Sequence, residues 1–211
     1  QGTAAVHDLV ERGEARALTW IDHDRARLER GAERIRTLCR ATFDRRGFEG
    51  LHTVVADAND ERALRAAFDA ADVCLNALPY RFARAMTRLA LDSGTHYLDL
   101  GGNTAIVREQ LALHRAHRAA DALCVLPDCG LMPGMGNLLT ALAVKRYGRL
   151  ARAHLRCGGL PERPAPPLDY QLVFSVEGLT NEYTGRADVL SGGRVGSVDT
   201  FTGLEEVDVP G

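Results

Sequence analysis

The chain has 211 residues, 45% of them hydrophobic and 26% charged, with a formal net charge of −2. So even a balance carries no basic footprint for DNA, RNA or anionic lipid, while the apolar share suffices for one sizeable core plus part of a second unit. No run approaches the roughly 18 apolar residues of a membrane span, and five scattered cysteines without a C-x-x-C pair fit a reducing, cytoplasmic compartment.

Apolar spacing predicts a helix over residues 3–12, closed by Gly13, and a buried strand over 15–22 that ends in Asp22. A long amphipathic helix over 25–40 follows, with an expected interruption at Gly31. A strand over 51–56 closes in Asp57-Ala58-Asn59-Asp60. Next come a helix over 61–70, a strand over 72–77 running into Leu78-Pro79, and a helix over 81–92 stopped at Ser93-Gly94. A short strand then runs out through Tyr97 and Asp99 into Gly101-Gly102-Asn103. A helix from 104 to about 120 and a strand over 123–126 complete the alternation. That rhythm predicts a doubly wound parallel sheet of Rossmann type with helices on both faces.

Beyond Pro127 the rhythm changes. A helix is expected over 138–147, a strand over 151–157, a proline-rich crossing over 161–167, a strand over 170–174 and a short helix over 176–183. The predicted boundary divides a nucleotide-binding unit, 1–132, from the start of a second α+β substrate and dimerisation domain, 133–211.

Gly2 directly before the first helix reads as the last glycine of a G-x-G-x-x-G loop whose strand and earlier glycines precede Gln1. On that reading the sheet lacks its first strand, and the chain is a piece of a longer protein. Gln1 and Gly2 would then present a helix N-terminus to a pyrophosphate. Asp22 follows about 20 residues later, where a carboxylate takes both ribose hydroxyls. His23 rather than an arginine comes next, which favours NAD, although Arg25 and Arg27 keep NADP open. Asp57 is placed for the adenine end, and Asn76, Ala77, Leu78 and Pro79 for the groove near the nicotinamide. The competing account of Asp22 and Asp57 is helix capping.

The stretch from Gly94 to Asn103 is the densest in functional groups. A carboxylate at a strand's carboxyl end lies where such sheets bind ligands, so Asp99 is the leading catalytic candidate, against the plainer reading of a cap on the next helix. Gly101 would let a cofactor approach the backbone, and Gly102 a substrate. His114 and His117, three apart on a helix, lack a third ligand, and no metal is expected.

Asn76–Pro79, Gly94–Gly102 and Pro127–Asn137 together resemble the saccharopine dehydrogenase-like oxidoreductases. Within that family, residues 158–170 and 173–179 followed by Tyr183 look most like lysine 6-dehydrogenases. The resemblance implies a two-domain, commonly homodimeric enzyme that binds NAD(P) and oxidises the ε-amine of L-lysine. Asp99 would accept the amine's proton, with Asn76 and Tyr97 orienting, and Tyr97 open to pointing into the core instead. Pro133, Gly134 and Asn137 would start a helix facing a substrate carboxylate or the nicotinamide amide, with Glu177 and Tyr183 meeting the substrate's far end. Two alternatives stand beside this: an enzyme of the saccharopine or carboxynorspermidine dehydrogenase type working on a secondary amine, and a non-catalytic NAD-binding regulator.

Overall fold

The computed structural model describes residues 1–13, 15–43, 47–159, 161–167, 169–171 and 176–208. Helix α1 (Gly2–Arg12) leads into β1 (Ala17–Asp22), then α2 (Arg25–Leu38), a one-turn α3 (Arg40–Phe43) and β2 (Gly50–Val55). Next come α4 (Glu61–Asp69), β3 (Val73–Asn76), a 3-10 turn at Tyr80–Phe82, α5 (Ala83–Ser93), β4 (His96–Asp99), α6 (Thr104–Ala116) and β5 (Val125–Leu126). The remainder is α7 (Met135–Tyr147), α8 (Val176–Glu182) and the strands β6 (Arg186–Ser191) and β7 (Arg194–Asp199).

β1 pairs parallel with β2, and β3, β4 and β5 form a second parallel set in that order. Each set runs in chain order, and parallel strands alternating with helices resemble a Rossmann-like domain. The expected α/β class therefore stands. β6 and β7 form a separate antiparallel hairpin.

Each half has its own core. Val10, Ala32, Ile35, Cys39 and Leu51 join α1, α2 and β2. Leu64, Phe68, Met86, Leu89, Ala90, Leu91, Tyr97 and Val125 pack α4 and α5 against β4 and β5. Local chemistry sets the element ends: Asp24 and Asp60 accept from the Arg27 and Ala63 amides and so cap α2 and α4, and Gly94 closes α5 in the left-handed region.

Several expectations need correction. Gly31 does not interrupt α2: a methyl there would come within 2.4 Å of the Trp20 ring, so glycine makes room for the indole on β1. Residues 151–157 form no strand and are all exposed. The predicted strand at 170–174 falls largely on residues outside the described set. The β6–β7 hairpin was not expected. His114 and His117 are half-buried rather than solvent-facing: His114 Nε2 lies 3.0 and 2.9 Å from the Ala120 and Leu123 carbonyl oxygens and ties α6 to the turn before β5. Among the described residues no helix is long and apolar enough to cross a membrane.

Candidate active site at the carboxyl ends of the strands

β3 and β4, paired in parallel, end together on Asn76 and Asp99, and β1 ends on Asp22. Asp99 is the centre of this region and is only 3% exposed. Its Oδ1 accepts from the Gly101 amide at 2.9 Å and the Asp128 amide at 3.0 Å. Its Oδ2 accepts from the Tyr97 hydroxyl at 3.0 Å and Gln110 Nε2 at 2.6 Å. A carboxylate has about four lone-pair sites, and all four are taken. The Cys129 amide also donates to the Asp99 carbonyl at 2.7 Å, so one residue pins two loops, the one after β4 and the one after β5.

The hydrogen-bond net extends inward. Asn76 Nδ2 donates to the Tyr97 hydroxyl at 2.8 Å, and its Oδ1 accepts from the Leu78 amide at 3.0 Å, shaping the turn through Ala77 to Pro79. Tyr97 is fully buried, and burial, with the Asp99 charge as the next cause, pushes its phenol well above the ordinary range. Of its two expected orientations, Tyr97 takes the core one. Gln110, also fully buried, donates to Thr87 Oγ1 at 2.8 Å as well as to Asp99. The helix after β4 is capped by Asn103, whose Oδ1 accepts from the Ala105 and Ile106 amides, so Asp99 is not its cap.

Two buried oxygens of this network, Gln110 Oε1 and Asp128 Oδ1, accept none of the described hydrogen bonds, and Asp128 is the ionisable one. It sits in the left-handed region at φ 61°, half-buried, and its Oδ1 is shielded from solvent without a hydrogen-bond partner. Burial, then the Asp99 charge, raises its carboxyl above the usual range, while the Gly102 amide pulls the other way. Gly101, at φ 73°, has to be glycine: a Cβ would lie 1.8 Å from Asp128 Oδ1. Gly102 lies against Tyr80, where a Cβ would come within 3.2 Å of the ring.

Around the first helix, the N-terminus of α1 at Gln1 carries no side-chain cap, and a Cβ on Gly2 would lie 3.6 Å from the Ala77 methyl. The uncapped amides thus open beside the turn that follows β3. Asp22 Oδ1 accepts from the Asp24 amide at 2.9 Å, while its Oδ2 takes part in none of the described hydrogen bonds. Asp24, not Asp22, caps α2. These residues fit the adenosine and pyrophosphate half of a dinucleotide: a helix start with no side-chain cap, and an acceptor at the end of β1. Asp57 is different. Its Oδ1 takes the Asn59 amide and Nδ2, which hold the carboxyl below its usual range and shape the turn after β2, while Asp60 caps α4.

The later candidates are mostly engaged with protein. α7 starts at Met135 with Gly134 as its cap, but the Met135 and Gly136 amides donate to the Gly130 and Leu131 carbonyls, and Asn137 Oδ1 accepts from the Gly134 amide. The helix start that Pro133 precedes is therefore closed on its own loop and does not offer free amides to a substrate. Glu177 is held by Arg81, with Nη1 at 3.0 and 2.9 Å from its two oxygens. Tyr183 stacks edge-on against Phe201. Asn181 Nδ2 donates to the Gly102 carbonyl at 3.1 Å, so α8 does lie at the mouth of the β4 loop.

Sequence reasoning passed over Gln110 and Asp128. Gln110 shares the inner face of α6 with Ile106 and Leu113 at helical spacing, where a polar residue among apolar ones signals a buried partner. Asp128 follows β5 much as Asp99 ends β4, and that parallel was there to be read.

The profile of the family described as saccharopine dehydrogenase NADP binding domain matches residues 1–125, more than half of the chain. Among solved structures, apo histidine-tagged saccharopine dehydrogenase (L-Glu forming) from Saccharomyces cerevisiae is similar, with a TM-score of 0.51 at 16% identity. The match covers 88% of this chain and 44% of that one, so the chain spans less than half of that enzyme's length. At such identity the likeness concerns the fold, and the profile carries the assignment: the chain belongs to the saccharopine dehydrogenase NADP-binding domain family.

Proposed function

We propose that this protein is the nucleotide-binding part of an NAD-dependent dehydrogenase that oxidises the CH–NH2 group of an amino acid, with the ε-amine of L-lysine as the substrate. The observation that supports it best is the buried carboxylate lattice around Asp99 at the end of β4, with an uncapped helix start beside the turn after β3 and a ribose-type carboxylate, Asp22, at the end of β1. NAD rather than NADP follows from Asp22, because its charge opposes a 2′-phosphate. Arg25 and Arg27, which would offset that charge, pair with Glu29 and Asp24 instead.

The cofactor, when bound, supplies the hydride acceptor. The chain's residues do the rest. Freeing the lone pair of an alkylammonium of pKa about 10.4 costs roughly 4–5 kcal/mol at pH 7, so a proton acceptor at the strand ends is needed. Asp99 holds the loops that form the crevice floor, and Asn76 and Tyr97 hold Asp99. Arg81 would have to release Glu177, with which it now pairs, before it could receive the substrate's α-carboxylate.

The test is NADH formation by the full-length enzyme with L-lysine, other basic amino acids, diamines and saccharopine. L-lysine is expected to give the highest kcat/KM; a preference for saccharopine would replace this reading with the secondary-amine one. For the cofactor, Asp22→Ala should weaken NAD binding by about 10- to 100-fold, as loss of charge-assisted bonds to the ribose does, and narrow the NAD over NADP preference in titration calorimetry.

A further inference from the structure

We propose that Asp128, not Asp99, is the residue that takes the proton from the substrate amine, an inference that rests on the amine-oxidation reading above. Two carboxylates lie side by side at this sheet edge in opposite circumstances. Asp99 has no lone pair left, and an incoming amine could reach it only by displacing Tyr97, Gln110, Gly101 or Asp128. Asp128 Oδ1 is buried and accepts none of the described hydrogen bonds, which is also true of Gln110 Oε1, but of the two only the Asp128 carboxyl can take up a proton. A buried, unpartnered oxygen in a native site calls for a reason, and a proton-transfer role is one.

Three further observations converge on this side chain. Its main chain is fixed by the Asp99 bond to its own amide, so the carboxyl has a set position. Its φ of 61° lies in the region that aspartate and asparagine enter at least cost, which turns the side chain back over Gly101. Gly101 in turn lacks the Cβ that would collide with it. The titratable groups facing it are Asp99 from β4 and Cys129 on its own loop, and Cys129 is pushed up by burial first and then by both carboxylates. None of the charges acting on Asp128 is a cation. A carboxyl so placed holds a proton more tightly than an ordinary aspartate, which brings it closer to the amine it must deprotonate. Pairs of carboxyls with divergent surroundings are the pattern that separates an acid–base group from its support.

The step balances. An ammonium N–H proton passes to a carboxylate oxygen of Asp128, leaving the nitrogen lone pair free. That pair forms the C=N bond as the C–H bonding pair leaves carbon as hydride, so the amine carbon is oxidised by two electrons. Asp128 then holds one proton, which it returns to solvent.

The experiment compares wild type, Asp128→Asn and Asp99→Asn in the full-length enzyme. Asparagine tolerates the same φ, so the loop is retained. Asp128→Asn should lower kcat/KM by about 10²-fold or more and abolish the acid limb that wild type shows as Asp128 ionises. Its Tm gives a reading independent of turnover. The folded pKa lies above the unfolded value of roughly 3.9, so the fold favours the protonated carboxyl. That advantage is complete below the unfolded pKa and is lost as pH rises through the folded one. Asp128→Asn should therefore match wild type near pH 4 and be as stable or more stable at pH 7, with the gap opening between them. An unchanged acid limb and rate in Asp128→Asn overturns the assignment, as does a lower Tm than wild type at pH 7. Turnover of some amine other than lysine would replace only the substrate and leave the same limb to be read, whereas NADH from no amine overturns the functional reading together with this one.

Discussion

At the scale of single residues, the fold gives neighbouring acids different tasks by what it aims at them. Asp24, Asp57 and Asp60 each accept amides in turns or at helix starts, whereas Asp99 is enclosed by four donors from three elements. This predicts a large penalty for Asp99→Asn. The amide would turn an NH2 group towards two of the present donors, leaving buried groups unsatisfied at about 1–3 kcal/mol each. A total of about 2–6 kcal/mol should lower Tm by at least roughly 4 °C for a chain of this size, measured by differential scanning calorimetry. Activity would fall with it, because the loops at Gly101 and Asp128 lose their common anchor. A Tm within 2 °C (roughly 1 kcal/mol or less) of wild type would mean that the lattice is not a structural support.

At the scale of elements, the alternation of strand and helix through residue 126 was legible because each element carries its own period and its own stop. Asp22, Asp57, Asp99 and the capping role of Gly94 all fall where those stops put them. What could not be read was tertiary. Gly31 looks like a break until the Trp20 ring is known to lie over it, and Tyr97 faces inward because β4 is covered on that side by α5. The hairpin β6–β7 was missed although Gly192-Gly193 separates two strands in the manner of a tight turn, because its strands are polar and its residues almost wholly exposed. The packing at Gly31 can be tested. Gly31→Ala gains helix propensity, worth up to about 1 kcal/mol, but forces a methyl against the indole. Overpacking of this kind costs about 1–3 kcal/mol, so the variant should be less stable despite the better helix former, with Trp20 fluorescence altered. A more stable variant would show that the indole moves aside freely.

For the whole molecule, the two parallel sets and their helices carry all the residues of both cores, and the segment beyond α7 is held to them by polar contacts. Arg81 with Glu177, Arg108 with Asp188 and Asn181 with Gly102 are the ties, all exposed, and each exposed ion pair contributes only about 0–1 kcal/mol. Between α7 and α8, the described residues from Arg149 to Gln171 form no helix or strand and are almost all exposed. Backbone of that kind opens locally at far lower cost than strands packed under helices. Arg149, Arg152, Arg156 and Arg163 lie within it, whereas the arginines of α2, α4 and α5 are in regular helices. Limited trypsin digestion under native conditions should therefore cut first after Arg149, Arg152 or Arg156 (Arg163 precedes Pro164, a bond trypsin leaves intact), releasing an N-terminal product ending there, identifiable by mass spectrometry. The proposed boundary at 132–133 predicts a different outcome in detail: the loop from Pro127 to Gly134 is tied to Asp99 through the Asp128 and Cys129 amides and contains no arginine or lysine, so α7 should remain with the nucleotide-binding product. Early cleavage inside α2 or α5 would show that the two cores are less stable than their packing implies.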